Sequence, residues 1–189
     1  HGWQLAFLAL AVAGLADPDQ RRGGLTTGLA TALSVSIGLE MLPYLALCGA
    51  GLGLRWVADG GQRHRLRAYA AALGLGTALG YLVFASYANH APRCDALTPV
   101  WLSTLLLASA LLVLLSLLPA RHWAARIAAG ALAAALVGGF FVGAWPQCLA
   151  RPEGISDALY QQWFVNIMEV RPLPAHGLKT GLPAVALPI

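Results

Sequence analysis

The sequence predicts an all-α protein, a polytopic transmembrane bundle of about six membrane-embedded helices, and three observations carry that prediction. Hydrophobic residues make up 58% of the chain and charged residues only 11%, with a mean hydropathy of +0.66, whereas a soluble domain needs roughly a quarter charged residues to face water. Several apolar runs meet the roughly 20 residues that a helix needs to cross about 30 Å of hydrocarbon. The runs are continuous and rich in Leu, Ala and Gly, and they do not alternate over about 10 residues as barrel strands do.

Taken in order, the first run, Trp3 to Ala16, ends at the polar turn Asp17-Pro18-Asp19-Gln20-Arg21-Arg22, where the proline breaks the helix. Leu25 to Leu39 and Leu42 to Val57 follow, divided by the bend Glu40-Met41-Leu42-Pro43. This pair either crosses twice or forms a re-entrant pair, since both preserve the charge parity of the loops. A basic loop from Arg55 to Arg67 then leads into Ala68 to Ser86. The loop Tyr87 to Thr98 precedes the least ambiguous span, Val100 to Leu118, and Ile127 to Trp145 crosses last. The predicted spans are therefore 3–16, 25–39, 42–57, 68–86, 100–118 and 127–145, with an outer tail over 146–189. No fixed-period repeat is apparent, and the Ala- and Gly-rich stretch Ala128 to Gly143 reads as a surface for close helix packing.

The net charge of +4 and the pI near 9.3 do not point to nucleic acid, because the basic residues are not interleaved with aromatics on a polar face. They sit in short turns between apolar runs. Placing Arg21 and Arg22, Arg63 to Arg67, and Arg121 with Arg126 on the cytoplasmic side satisfies the positive-inside rule with one alternation. The Cys94 loop and the tail after Pro146 then face outward, with Tyr87, Trp101 and Trp145 as an aromatic belt at that boundary. The chain opens on His1-Gly2-Trp3 without a methionine or a basic signal region. It reads as a piece of a longer protein, partnered by membrane lipids and by the rest of its parent chain or other membrane subunits.

Few residues offer chemistry. Cys94 and Cys148 fall on the same extracytoplasmic side, while Cys48 lies within an apolar run. A disulfide between the outer two is expected in an oxidising compartment, with two free thiols as the alternative. Glu40, bordered by apolar residues, is either a carboxylate lining a polar site or a helix-end group reaching headgroups and water. In the tail, Ser156 as N-cap, Asp157 in the first turn and the stripe Leu159, Trp163, Ile167 and Val170 predict a short interfacial helix. Glu169 ends it and Arg171-Pro172 stops it. A glutamate so placed is more often simply solvated. His1, His90 and His176 share the outer side without zinc-ligand spacing.

The stretch Asn166-Ile167-Met168-Glu169-Val170-Arg171-Pro172 resembles the Thr-Ile-x-Glu or Ser-Val-Ser-Glu segment in the fifth external loop of oligosaccharyltransferase catalytic subunits. The opening His1-Gly2-Trp3-Gln4 resembles the end of an Asp-His-His-type motif in bacterial membrane proteins related to those enzymes. There it stands where the family has its second acidic motif. The resemblance implies the GT-C fold, a location in the bacterial inner (plasma) membrane, and a polyprenyl-phosphate-linked sugar donor used at the extracytoplasmic face. It also implies a divalent metal, Mn²⁺ or Mg²⁺. On this reading Glu169 is catalytic and a metal ligand, His1 lies at metal and donor phosphate, and Arg171 is a donor-binding residue; Glu40 is a second catalytic candidate from its own apolar setting, not from the resemblance. The family's first acidic motif would precede His1. The Leu-Glu-Met-Leu-Pro-Tyr segment from Leu39 to Tyr44 is similar to the same relatives and carries no assigned role.

Two other classes compete with the enzyme. A secondary transporter would use Glu40 as an intramembrane ion or proton site and should show broken helices near the membrane centre. A structural subunit would use its helices mainly to pack against partners.

Overall fold

The structure, a computed structural model, describes residues 2–119, 122–150 and 157–162. The chain divides into two compact units, His1–Glu153 and Gly154–Ile189. Of the second, the described part is one short helix, Asp157–Gln162, which carries Asp157 in its first turn.

The first unit is built from helices joined by short turns. Helix α1 (Gly2–Ala16) ends before Pro18. Asp19 then caps α2 (Gln20–Ile37), its carboxylate accepting the Arg22 amide at 2.7 Å. Helix α3 (Leu42–Ala58) carries Pro43 in its first turn, where a missing N–H costs nothing. A 3₁₀ turn (Gly60–Gln62) leads into α4 (Arg63–Phe84). After a loop containing the 3₁₀ turn Tyr87–His90 come α5 (Pro99–Leu117), α6 (Trp123–Ala144) and the single turn α7 (Gln147–Ala150). No strand occurs among the described residues. Three segments, Gly60–Phe84, Pro99–Leu117 and Trp123–Ala144, are long and apolar enough to cross a membrane, and they mark this as a membrane protein.

Helix α2 is as long as a span but poor in large apolar residues, because small residues are what its neighbours require. It lies between α1 and α4, and its face toward α4 carries Gly24, Gly28, Ala32 and Ser36 at four-residue spacing. Helix α4 answers with Ala68, Ala72, Gly76 and Gly80. A Cβ built on Gly28 would stand 2.5 Å from the Tyr69 carbonyl oxygen and 2.7 Å from the Ala72 Cβ, and one on Gly76 would stand 2.7 Å from the Ala32 Cβ. The pairs climb together, Gly24 against Ala68 and Gly76 against Ala32, so the two helices are parallel and touch backbone to backbone. Gly14 of α1 is equally close to Thr27 of α2, whose hydroxyl donates to the Ala11 and Gly23 carbonyls. Leu52 and Trp56 of α3 fill the interior with Leu66, Tyr69 and Leu73 of α4, Leu115 of α5 and Ala133 of α6.

At one end of this bundle α1, α3 and α5 terminate, and each has its last carbonyls taken by an arginine from another helix. Arg65 of α4, only 3% exposed, donates to the Gly14 carbonyl at 3.1 Å and the Asp17 carbonyl at 2.6 Å. Arg55 of α3 adds a bond to the Leu15 carbonyl. Arg126 of α6 closes α3 through the carbonyls of Val57 at 2.8 Å and Ala58. Arg67 of α4 holds the Ser116 hydroxyl at 3.1 Å and its carbonyl at 3.3 Å, near the end of α5. Cations at helix C-termini satisfy orphan carbonyls and meet the negative pole of the helix dipole.

Several sequence expectations change in detail. The stretch Arg55 to Arg67, expected as a basic loop, is mostly helical: α3 runs through Arg55 to Ala58 and α4 begins at Arg63. Where spans over 25–39, 68–86 and 127–145 are expected, the helices run over Gln20–Ile37, Arg63–Phe84 and Trp123–Ala144, and the first of these is not among the segments apolar enough to cross. The helices start earlier because a polar first turn can stay helical once its side chains are bonded to neighbouring elements. The pairing of α2 with α4 runs from Gly24 to Ser36, along most of α2. Within Ala128 to Gly143, Ala133 and Ala129 pack into the interior, while Gly130, Gly138, Gly139 and Gly143 face open space among the described residues. Close packing belongs to α2 and α4 instead.

Candidate functional site

The opposite end of the bundle gathers the start of α1, the bend between α2 and α3, and the segments following α4 and α6. Gln4, the one polar residue in the apolar run of α1, is 2% exposed, and its amide donates to the Glu40 carboxylate at 2.5 Å. Glu40 itself is exposed in the bend. The Gln4 bond, reinforced by a backbone amide, holds the Glu40 carboxyl below its ordinary pKa, so it is ionised at neutral pH. The structure thus places Glu40 as an exposed carboxylate in the bend between α2 and α3, with one buried partner. Sequence reasoning did not single out Gln4. The signal that could have found it was a glutamine inside an apolar helix, which in hydrocarbon demands a polar partner.

Across this end, Cys94 and Cys148 are joined in a disulfide with Cα atoms 5.5 Å apart, while Cys48 is free and buried in α3. The disulfide fastens the loop after α4 to the turn after α6. Trp101 donates through its indole nitrogen to the Cys94 carbonyl at 2.8 Å, and Trp145 reaches the Ser103 hydroxyl at 3.3 Å. The Thr98 hydroxyl is bonded to the Arg93 carbonyl at 2.5 Å, and His90 meets the Tyr81 hydroxyl at 3.0 Å through Nδ1. The loop is thus pinned by side-chain bonds at each turn.

No protein-family model, curated protein or solved structure matches this chain.

His1, Glu169, Arg171 and His176 lie outside the described residues. Among the described residues no group of three or more His, Cys, Asp or Glu side chains could hold a metal ion. Glu40 is a single carboxylate with one oxygen already engaged by Gln4, and hard divalent cations take several oxygen ligands. The described residues alone do not supply a metal site, and Glu40 and the disulfide are the parts of the expected site that the structure brings to this end.

Proposed function

We propose that the chain is the partial membrane domain of a GT-C-type glycosyltransferase that moves a sugar from a polyprenyl-phosphate-linked donor at the extracytoplasmic face. On this reading it is a multi-pass protein of the bacterial inner membrane, with the arginine-rich end in the cytoplasm. What carries the reading is the resemblance of the Asn166 to Pro172 segment and of the opening His1-Gly2-Trp3-Gln4 to the family's motifs. Its geometric support is that α1 begins, and α6 ends, at the same end of the bundle.

In this scheme Glu169 and His1 supply metal and donor contacts, and Arg171 neutralises donor phosphate. A bound divalent cation would stabilise charge developing on the phosphate leaving group. Glu40 is ionised and exposed beside the opening segment, where it favours cationic or hydrogen-bonding groups. The test uses the full-length parent protein in detergent, following transfer or hydrolysis of a polyprenyl-phosphate sugar with and without Mn²⁺. Metal-dependent turnover lost in Glu169→Gln supports the reading. Absence of donor turnover in the wild type with every metal and lipid tried refutes it.

A further inference from the structure

The arginines of the basic end divide into two sets. Seven of them lie among the described residues, Arg21, Arg22, Arg55, Arg63, Arg65, Arg67 and Arg126, against three aspartates in number, Asp17, Asp19 and Asp59. Arg55, Arg65, Arg67 and Arg126 are engaged by carbonyls or the Ser116 hydroxyl, and Arg22 by Asp17 at 2.6 Å. Arg21, Arg63 and the neighbouring His64 are exposed, with no hydrogen bond or ion pair to any described residue. These three sit together. Gly24 of α2 lies against Arg65 and Ala68 of α4, and the helices are parallel, so one turn toward their starts brings Arg21 level with Arg63 and His64.

Each helix continues from this polar crown into an exposed apolar row. Arg21 heads Leu25, Leu29 and Leu33 at four-residue steps on α2. His64 heads a row on α4 in which the half-buried Ala68 and Ala71 precede the exposed Leu75 and Leu79. Leu25, Leu29 and Leu33 each follow a contact residue of α2 (Gly24, Gly28, Ala32) by one position and Leu75 and Leu79 each precede one of α4 (Gly76, Gly80), so the two leucine rows flank the same side of the parallel contact, below the unengaged cations. A surface with positive charge at one end and two exposed leucine rows running from it is complementary to an anionic phospholipid. The headgroup phosphate meets the cations and an acyl chain lies along the leucines.

We propose that the rim between α2 and α4 is a binding site for an anionic phospholipid, with Arg21 and Arg63 holding its phosphate and His64 as a further hydrogen-bonding group. The site depends only on the membrane setting of the bundle and stands apart from the transferase reading. It is selective for headgroup charge, because a zwitterionic lipid brings a cation of its own against the arginines.

Native mass spectrometry of the full chain, released from mild detergent with phosphatidylglycerol or phosphatidylcholine, tests it. Wild type is expected to retain phosphatidylglycerol in preference to phosphatidylcholine. Arg21→Gln and Arg63→Gln should each lower that retention about fivefold, the double variant more, while Arg93→Gln at the other end leaves it unchanged. Arg21→Lys with Arg63→Lys, which preserves charge, should retain the lipid, so a loss confined to the glutamine variants is not a folding effect. Equal retention of both lipids by wild type, or undiminished phosphatidylglycerol in the double glutamine variant, overturns the proposal. Displacement of the lipid by millimolar glycerol phosphate also overturns it, because the surface would then read phosphate without the acyl chain.

Discussion

Gly28 offers the sharpest test of the packing. A Cβ there would stand 2.5 Å from the Tyr69 carbonyl oxygen, against 3.4 Å for the start of ordinary contact, a shortfall of 0.9 Å (3.4 minus 2.5). The obstructing atoms include α4 backbone, which cannot rotate aside, so α2 and α4 must separate along their whole contact. Overpacking of this kind costs about 1–3 kcal/mol. Gly130 on α6 is the matched control, because a Cβ there meets nothing within 4 Å. Alanine at either position gains a similar helix-propensity benefit of up to about 1 kcal/mol, so the difference between Gly28→Ala and Gly130→Ala isolates the clash. Reversible unfolding in mixed micelles by titrated dodecyl sulfate, followed by tryptophan fluorescence, should place Gly28→Ala about 1–3 kcal/mol below Gly130→Ala. If both variants shift by the same amount and in the same direction, the close approach of α2 to α4 is wrong.

Arg65→Met should destabilise the bundle by about 2–4 kcal/mol, because the Gly14 and Asp17 carbonyls lose charged donors; the same titration measures it, and an unchanged midpoint refutes the role. Reducing the Cys94–Cys148 bond, or Cys94→Ser with Cys148→Ser, frees a loop of sequence separation 54, for which the chain-entropy estimate is about 4 kcal/mol. Unfolding with and without reductant is the check. Glu40 has a folded pKa below its unfolded value near 4.5, so its contribution is fully present above that value and is lost as pH falls through the lowered folded pKa. Stability profiles of wild type and Glu40→Gln should run parallel from pH 5 to 8 and converge on further acidification. Divergence confined to the neutral range would show that Gln4 does not act on the ionised form.

The helices are legible in the sequence because hydropathy reports what hydrocarbon and interior share, a preference for apolar side chains. It cannot report which face meets lipid and which meets another helix. Ala128 to Gly143 and Gly24 to Ser36 both carry small residues at helical spacing, yet the glycines of the second pack against α4 while those of the first face open space among the described residues. What separates them is whether a neighbouring helix carries a complementary row, as Ala68 to Gly80 does, and that is a property of two segments. The helix starts were misplaced for a related reason: Arg63 to Arg67 looks like a loop when charge is counted, but Arg65 and Arg67 spend their charge on the ends of α1 and α5. At the candidate site, Glu40 stands out by composition. Gln4, 36 residues earlier, is marked by sitting in an apolar helix, but that it pairs with Glu40 is a property of the fold.

The donors that close the descending helices arrive in a definite order during synthesis. Arg65 lies 51 residues beyond Gly14, and Arg126 lies 69 beyond Val57, so α1 and α3 leave the ribosome with open carbonyl ends that only later segments can satisfy. For α5 the order is reversed, because Arg67 is already in place when Ser116 emerges. A nascent chain halted just before α4 should therefore hold its first hairpin loosely and remain open to proteolysis at the Asp17 turn. Release of α4 supplies both the Arg65 clamp and the parallel partner of α2. Biogenesis then becomes a sequence of latches, and interruption of translation between α2 and α4 is the point of greatest vulnerability.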